Sequence, residues 1–142
     1  MKYRLIIEPD REEEIVIYAK RRNELVDKIE ALLNADEELV GYLEQSIIRL
    51  NREDIYCVMV EDSKVYAQTE KEKYLLKLRL YQLEERFCED FLKINQSCLV
   101  NVSKIKRFDS SIGGSLMVVL KNGYRDYVSR RQLKTVKERI GF

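Results

Sequence analysis

Leu116-Met117-Val118-Val119-Leu120-Lys121-Asn122-Gly123-Tyr124-Arg125-Asp126-Tyr127-Val128 is the stretch from which the fold can be read. Strand-like runs at residues 116–120 and 124–128 flank Asn122-Gly123. Asn-Gly between alternating hydrophobics is the strongest short-range hairpin signal, because both central residues of a type I′ turn need positive φ. An antiparallel hairpin is expected here. Ser129 follows it, and with Gln132 it has the spacing of a capping box, the hydroxyl accepting from the Gln132 amide while the Gln132 side chain reaches back to the Ser129 amide. A closing helix therefore begins after Ser129. Leu133, Val136 and Ile140 fall on one face, with Arg130, Arg131, Lys134, Lys137 and Arg139 around the rest.

Working toward the N-terminus, residues 91–94 and 105–108 read as strands that bracket the segment 95–101. Leu80, Leu83 and Phe87 at i, i+3 and i+7 predict a short helix before them. Between residues 39 and 78, short β-branched and aliphatic runs alternate with turn residues: 39–43 and 47–50 flank Gln45-Ser46, 56–60 and 64–68 flank Asp62-Ser63, and 75–78 adds another run. This is the pattern of a β-meander. The first 38 residues differ. Residues 2–7 and 14–19 are two strand-like runs separated by Glu8-Pro9-Asp10, predicting an antiparallel pair. Asn23 suits a helix N-cap, with Leu25, Ile29, Leu32 and Leu33 at helical spacing beyond it. The polar connection 34–38 is the expected boundary, giving a strand-strand-helix appendage over 1–38 and a main domain over 39–142. The expected fold class is α+β and predominantly β, built from small antiparallel sheets with a short internal helix and a C-terminal helix.

Composition narrows the chemistry. The chain has 142 residues and no His, which removes the commonest general base, the Ser-His-Asp and Cys-His systems, and imidazole zinc sites. Cys57, Cys88 and Cys98 form no CxxC pair, so reduced thiols are expected, with no metal or cofactor; Cys98 reads as a small buried hydrophobe rather than a redox sensor. The first residues are too charged for a signal peptide, and the longest uncharged run, 110–120, is far short of a membrane span. A soluble, cytoplasmic protein without a membrane partner is expected.

The net charge of +1 conceals an asymmetry. Residues 1–92 hold 15 Lys and Arg against 22 Asp and Glu, a balance of −7, whereas residues 93–142 hold 11 against 3, a balance of +8. A basic segment of this kind either meets a polyanion, releasing its condensed counterions, or is neutralised by the acidic part of the same fold. Arg130 and Arg131 in the first turn of a helix suit phosphate, since a helix N-terminus offers free amides and partial positive charge.

From about residue 39 to the C-terminus the chain resembles the LytTR family of bacterial DNA-binding domains. Ile55-Tyr56, Val60-Glu61, Lys64-Val65-Tyr66 and Thr69 are similar to the family's first strand pair. Leu80, Leu83, Phe87 and Phe91 match the spacing of its internal helix and next strand. Phe91-Leu92-Lys93-Ile94-Asn95-Gln96-Ser97-Cys98-Leu99-Val100-Asn101 resembles its Phe-x-Arg-x-x-x-Ser-x-x-x-Asn signature, continued by Lys104-Ile105, Asn122-Gly123 and Val128-Ser129-Arg130. The resemblance implies a fold that presents loops, not a recognition helix, to successive grooves of double-stranded DNA. Carried over, Asp62-Ser63-Lys64 takes the first contacting loop, Asn95, Gln96 and Ser97 the second, and Arg130 the contacting arginine after the hairpin. Arg, Gln and Asn suit base edges, whereas Ser97, Lys64, Lys104 and Arg131 suit phosphate. Ser63 completes the set of expected contacts. Asn101 is implied to support the loop from within. The chain departs from the family at Asn95-Gln96, where many members carry basic or His residues, and no receiver domain is expected in the 38 residues before the resemblance.

Three readings follow. The first is a sequence-specific, stand-alone DNA-binding transcriptional regulator, whose appendage serves dimerisation as a homodimer, or sensing, or simply caps the β core. The second is an interaction module of the same fold that has lost specific DNA binding. The third, a metal-dependent nuclease built on Glu61, Asp62 and other carboxylates, is disfavoured because adjacent strand residues point to opposite faces; no enzyme is expected.

Overall fold

The computed structural model describes residues 2–33, 39–111 and 113–142, so the expected boundary at 34–38 lies outside the described residues. In chain order the elements are α1 (Glu24–Leu33), β1 (Leu39–Leu43), β2 (Ser46–Leu50), β3 (Cys57–Glu61), β4 (Lys64–Gln68), β5 (Lys73–Leu76), α2 (Leu80–Arg86), β6 (Phe91–Asn95), β7 (Cys98–Asn101), β8 (Ile105–Ser110), β9 (Leu116–Leu120), β10 (Arg125–Val128) and α3 (Arg130–Ile140). The strands form a seven-stranded antiparallel sheet in the order β2-β1-β5-β4-β3-β7-β6 and a three-stranded one in the order β10-β9-β8. The α+β, mainly β reading holds.

Two hydrophobic cores lie on the two faces of β3, β6 and β7. Val58, Phe91 and Leu99 point into the first, with Leu83 and Phe87 from the α2 region covering it. Cys57, Leu92, Ile94, Cys98 and Val100 point into the second, which Val118 and Leu120 of the small sheet and Val136 of α3 close. Every residue of β7 is buried. Strands covered on both faces read as continuous apolar runs without alternation. For that reason 98–101 looked like part of a bracketed loop in the sequence, although it is a strand.

The turns depart from expectation in an instructive way. The hairpin over 116–128 is present, with Val128 opposite Leu116 and Arg125 opposite Val119. Its turn is not type I′: only Gly123 has positive φ, at 90°, and the Gly123 amide donates to Leu120 O at 2.9 Å. Lys121, Asn122 and Gly123 make a three-residue loop, a type I turn followed by a left-handed glycine. The two-residue turn with both central residues left-handed occurs instead at Asp62-Ser63, where φ is 51° and 63° and Glu61 pairs with Lys64. The sequence signal there is weak because Ser, unlike Gly, has a Cβ that disfavours this region.

The start of α3 is where the sequence placed it, but the capping box does not form. The Ser129 amide, which the Gln132 side chain was to satisfy, donates to Ile94 O at 2.8 Å, and the Gln132 amide donates to the Ser129 backbone carbonyl at 3.0 Å. Tertiary pairing of β10 to β6 takes the group first. Asn23, in contrast, caps α1 as expected, its Oδ1 accepting from the Val26 amide at 3.0 Å.

The expected strand pair at 2–7 and 14–19 is absent. Among the described residues before α1 only a turn forms, with the Arg11 amide donating to Glu8 O at 3.2 Å, and both runs are exposed. A two-stranded ribbon with neither face covered is not independently stable in water. α1 itself lies beside α2.

Gly41 of β1 tests how tightly the sheet is packed. A Cβ there would sit 2.8 Å from Tyr74 Cβ and 2.7 Å from Leu50 Cδ1. Because Tyr74 Cβ is fixed to the backbone of β5, Gly41→Ala should cost about 1–3 kcal/mol through overpacking. Urea unfolding checks this; a variant as stable as the parent would show that β1 and β5 are more loosely apposed.

Candidate nucleic-acid interface

Strand pairing brings three exposed segments to one end of the fold. β3 leaves the sheet at Glu61 beside the point where β7 enters it at Cys98, since Met59 pairs with Cys98 and the Val60 amide donates to Ser97 O at 2.8 Å. The Asp62-Ser63 tip and the Gln96-Ser97 tip therefore project together. The third segment is tied on by β6: the Ser129 amide bonds Ile94 O, and Asn95 Nδ2 donates to Tyr127 O at 2.9 Å. That fixes the end of β10, so α3 starts at the same end, and its first residues, Arg130 and Arg131, are exposed. Ser63, Lys64, Gln96 and Ser97 are exposed as well.

Two of the expected contact residues are not presented outward with these tips. Asn95 is only 2% exposed. Both ends of its side chain are used internally, Nδ2 on Tyr127 O and Oδ1 accepting from the Ser97 amide at 2.8 Å. A buried amide satisfied at both ends shapes the tip from behind and presents nothing outward. Lys104 follows β7 at its opposite end, where Asn101 pairs with Phe91. It is half-buried, and its ammonium lies 5.0 Å from the centre of the Tyr56 ring, a cation–π contact. The loop-supporting role implied for Asn101 is likewise shifted. Asn101 donates to Ile55 O at 2.9 Å and accepts from the Ser103 amide and hydroxyl, organising that same far end; Asn95 does the corresponding work at the near end.

Local charge is more even than the +8 balance suggests. The Glu61 carboxylate beside the first tip is paired with Lys73, whose ammonium also lies 4.8 Å from the Tyr66 ring centre. The Lys73 pKa is raised, first by the hydrogen bond to Glu61. Arg107 and Arg125 both reach Asp109. Arg139 donates to Cys88 O at 3.2 Å and to Glu89 O, anchoring α3 to the connection between α2 and β6. Arg130 and Arg131 thus carry the positive charge of the near end together with Lys64.

Tyr127 was missed by sequence reasoning. It is 53% exposed and adjoins the Asn95 side chain through its carbonyl. The signal was available in the alternation of β10, where Tyr124, Asp126 and Val128 turn inward and Arg125 and Tyr127 outward. Behind this strand, Tyr124 donates to Asp126 at 3.2 Å, and burial pushes its phenol pKa up. Cys98 is buried, and its pKa is raised, first by hydrogen bonding with the neighbouring Cys57 thiol and then by desolvation. Among the described residues no cluster of carboxylates and thiols could hold a metal, and no helix is long and apolar enough to cross a membrane.

Asn95→Ala orphans Tyr127 O and the Ser97 amide together. A loss of about 1–3 kcal/mol in unfolding free energy is expected, whereas Gln96→Ala, one residue on and exposed, should stay within about 0.5 kcal/mol of the parent. Denaturant titration of both variants distinguishes a buried tip support from an outward contact; equal stability of the two would contradict the placement of Asn95.

Comparison with known proteins gives a consistent result. Residues 45–141 match the model of the LytTr DNA-binding domain. The chain is 33% identical over 147 residues to proteins described as uncharacterized HTH-type transcriptional regulators in Staphylococcus aureus strains NCTC 8325 and N315, covering 99% of this chain and 98% of each of those. Its fold is similar to a solved LytTr DNA-binding domain of a methyl-accepting/DNA response regulator from Bacillus cereus, with a TM-score of 0.71 at 21% identity over 75% of this chain and 99% of that one.

Proposed function

Because this chain belongs to the LytTR family of DNA-binding domains, which is not an enzyme family, we propose that it is a transcriptional regulator that reads double-stranded DNA with the Asp62–Lys64 and Gln96–Ser97 tips and the start of α3. The observation that carries this reading is the set of backbone bonds, Val60 to Ser97 and Ser129 to Ile94, that hold these three segments at one end of the fold. Rigid strands behind short tips keep their side chains pre-organised, which lowers the ordering cost of binding. Such a regulator works where the bacterial chromosome is, in the cytoplasm.

The residue types divide the labour. Arg130 carries a planar fork of donors matched to guanine O6 and N7, and Gln96 has a donor and an acceptor suited to adenine N6 and N7. Lys64, Ser63, Ser97 and Arg131 offer single donors or charge, sufficient for phosphate oxygens. The free amides of the first turn of α3 add a phosphate site beside Arg131. Tyr127 supplies an exposed ring next to the second tip. Asn95 serves as a positioning residue, and Lys104 takes no part.

Selection of bound duplexes from a random pool by the purified chain should return a defined motif; recovery of no motif would favour the interaction-module reading. On the selected site, Arg130→Ala should lose about 1–3 kcal/mol and relax preference at one base pair. An unchanged binding profile for the folded variant would remove Arg130 from the base-reading set. Lys64→Ala should weaken all duplexes alike and reduce the slope of log affinity against log salt by about 1. A loss confined to one site would instead make Lys64 a base reader.

A further inference from the structure

Exposed apolar surface is concentrated in the part of the molecule that the DNA-binding reading does not use. Of sixteen exposed large hydrophobic side chains among the described residues, eleven lie in residues 2–33: Tyr3 to Ile7, Ile15 to Tyr18, and Leu25, Leu32 and Leu33 of α1. Tyr3 is 95% exposed and Tyr18 93%. An apolar patch of this density marks an interaction surface.

The sequence of this segment says what kind of partner fits. Residues 2–7 and 14–19 each put apolar side chains on both faces of a strand: Tyr3, Leu5 and Ile7 against Ile6, and Ile15 and Ile17 against Val16 and Tyr18. The stripe of α1 formed by Leu25, Leu32 and Leu33 can cover one face of a ribbon made from these strands, and the other face still needs cover. The ribbon is also electrically polar along its length. Its turn carries Glu8, Asp10, Glu12, Glu13 and Glu14 against the single Arg11, which pairs with Glu8 and Glu14, whereas its open end carries Lys2, Arg4, Lys20 and Arg21. A second ribbon laid antiparallel across a two-fold axis places each acidic turn against the other's basic end.

We propose that residues 2–33 pair with the same segment of a second copy of this chain, ribbon face against ribbon face and antiparallel, and that the strands at 2–7 and 14–19 form in that dimer. The two DNA-binding ends are then tethered, and binding to one half-site raises the effective concentration of the second reader at the next.

Sedimentation velocity on the full chain without DNA tests this separately from DNA binding. The parent should sediment as a dimer at tens of micromolar. The pairs Glu12→Lys with Glu13→Lys, and Lys20→Glu with Arg21→Glu, should each yield monomers, and an equimolar mixture of the two should restore the dimer. Ile6→Asp combined with Tyr18→Asp should yield a monomer that loses β signal in far-ultraviolet circular dichroism relative to the dimeric parent and keeps the parent's affinity for a single half-site duplex. A monomeric parent, charge-reversed variants that each remain dimeric, or a mixture that stays monomeric would overturn the proposal.

Discussion

The structure depends on one strand pair, β6 with β7, being buried on both faces at once. Alternate residues of these strands, Leu99 on one side and Cys98 and Val100 on the other, belong to two different hydrophobic cores. The seven-stranded sheet with α2 and the three-stranded sheet with α3 therefore share these strands as a common wall. At roughly 1.5–3 kcal/mol for each large side chain withdrawn from water, this wall contributes to both cores, and neither layer can be displaced without exposing apolar surface of the other. The short turn that closes the pair, Gln96-Ser97, is consequently held from both sides.

Legibility from sequence followed the same physics. Elements with one wet face were readable, α2 and α3 by helical spacing, β10 by its alternation and α1 by Asn23 and its leucines; β9, itself almost wholly buried, was readable from the Asn122-Gly123 signal beside it. β7 was not, because burial on both faces erases alternation. Turn chemistry misled at Asn122-Gly123, which adopts a three-residue loop, whereas the turn expected at Asp62-Ser63 is present and supplies the left-handed pair. In the candidate site, Lys64, Gln96, Ser97, Arg130 and Arg131 stand on the surface of one end as their positions implied. Asn95 could not be distinguished from its exposed neighbour Gln96 by type, because a strand-end amide suits a contact or an internal bracket equally well; the register bulge between Lys93 and Asn95 turns it inward. Lys104 stands apart from the tips because a residue that follows the second loop in sequence is carried by a four-residue strand to the other end of the hairpin.

Charge alone left two partners open for the basic segment, a polyanion or the acidic part of the same fold. Several cations of residues 93–142 take partners within the fold: Arg139 donates to carbonyls of the connection before β6, and Arg107 and Arg125 reach Asp109. What matters is which cations the topology leaves at the end where the tips gather. Helices play a small part in this: α2 and α3 are separated in sequence by five strands and do not form a helix-turn-helix pair. α3 offers its N-terminus and first-turn arginines, not a face, toward that end.

Asn95 shows how a polar group inside an apolar wall can set geometry that hydrophobic packing leaves free. Apolar contacts are non-directional and would tolerate a rotated tip or a shifted β10 at small cost. The Asn95 amide fits only one arrangement, in which the Ser97 amide and Tyr127 carbonyl are both within hydrogen-bond reach. Ser97 in turn accepts from Val60, so the first tip is registered against the second, and Tyr127 leads directly into Arg130. Burying an unsatisfied amide is expensive, so alternative placements of the three segments carry a desolvation penalty that the observed one avoids. In the proposed mode of binding, groove spacing on the duplex is matched by this one bracket, and the cost of orienting the readers is met during folding instead of at the moment of binding.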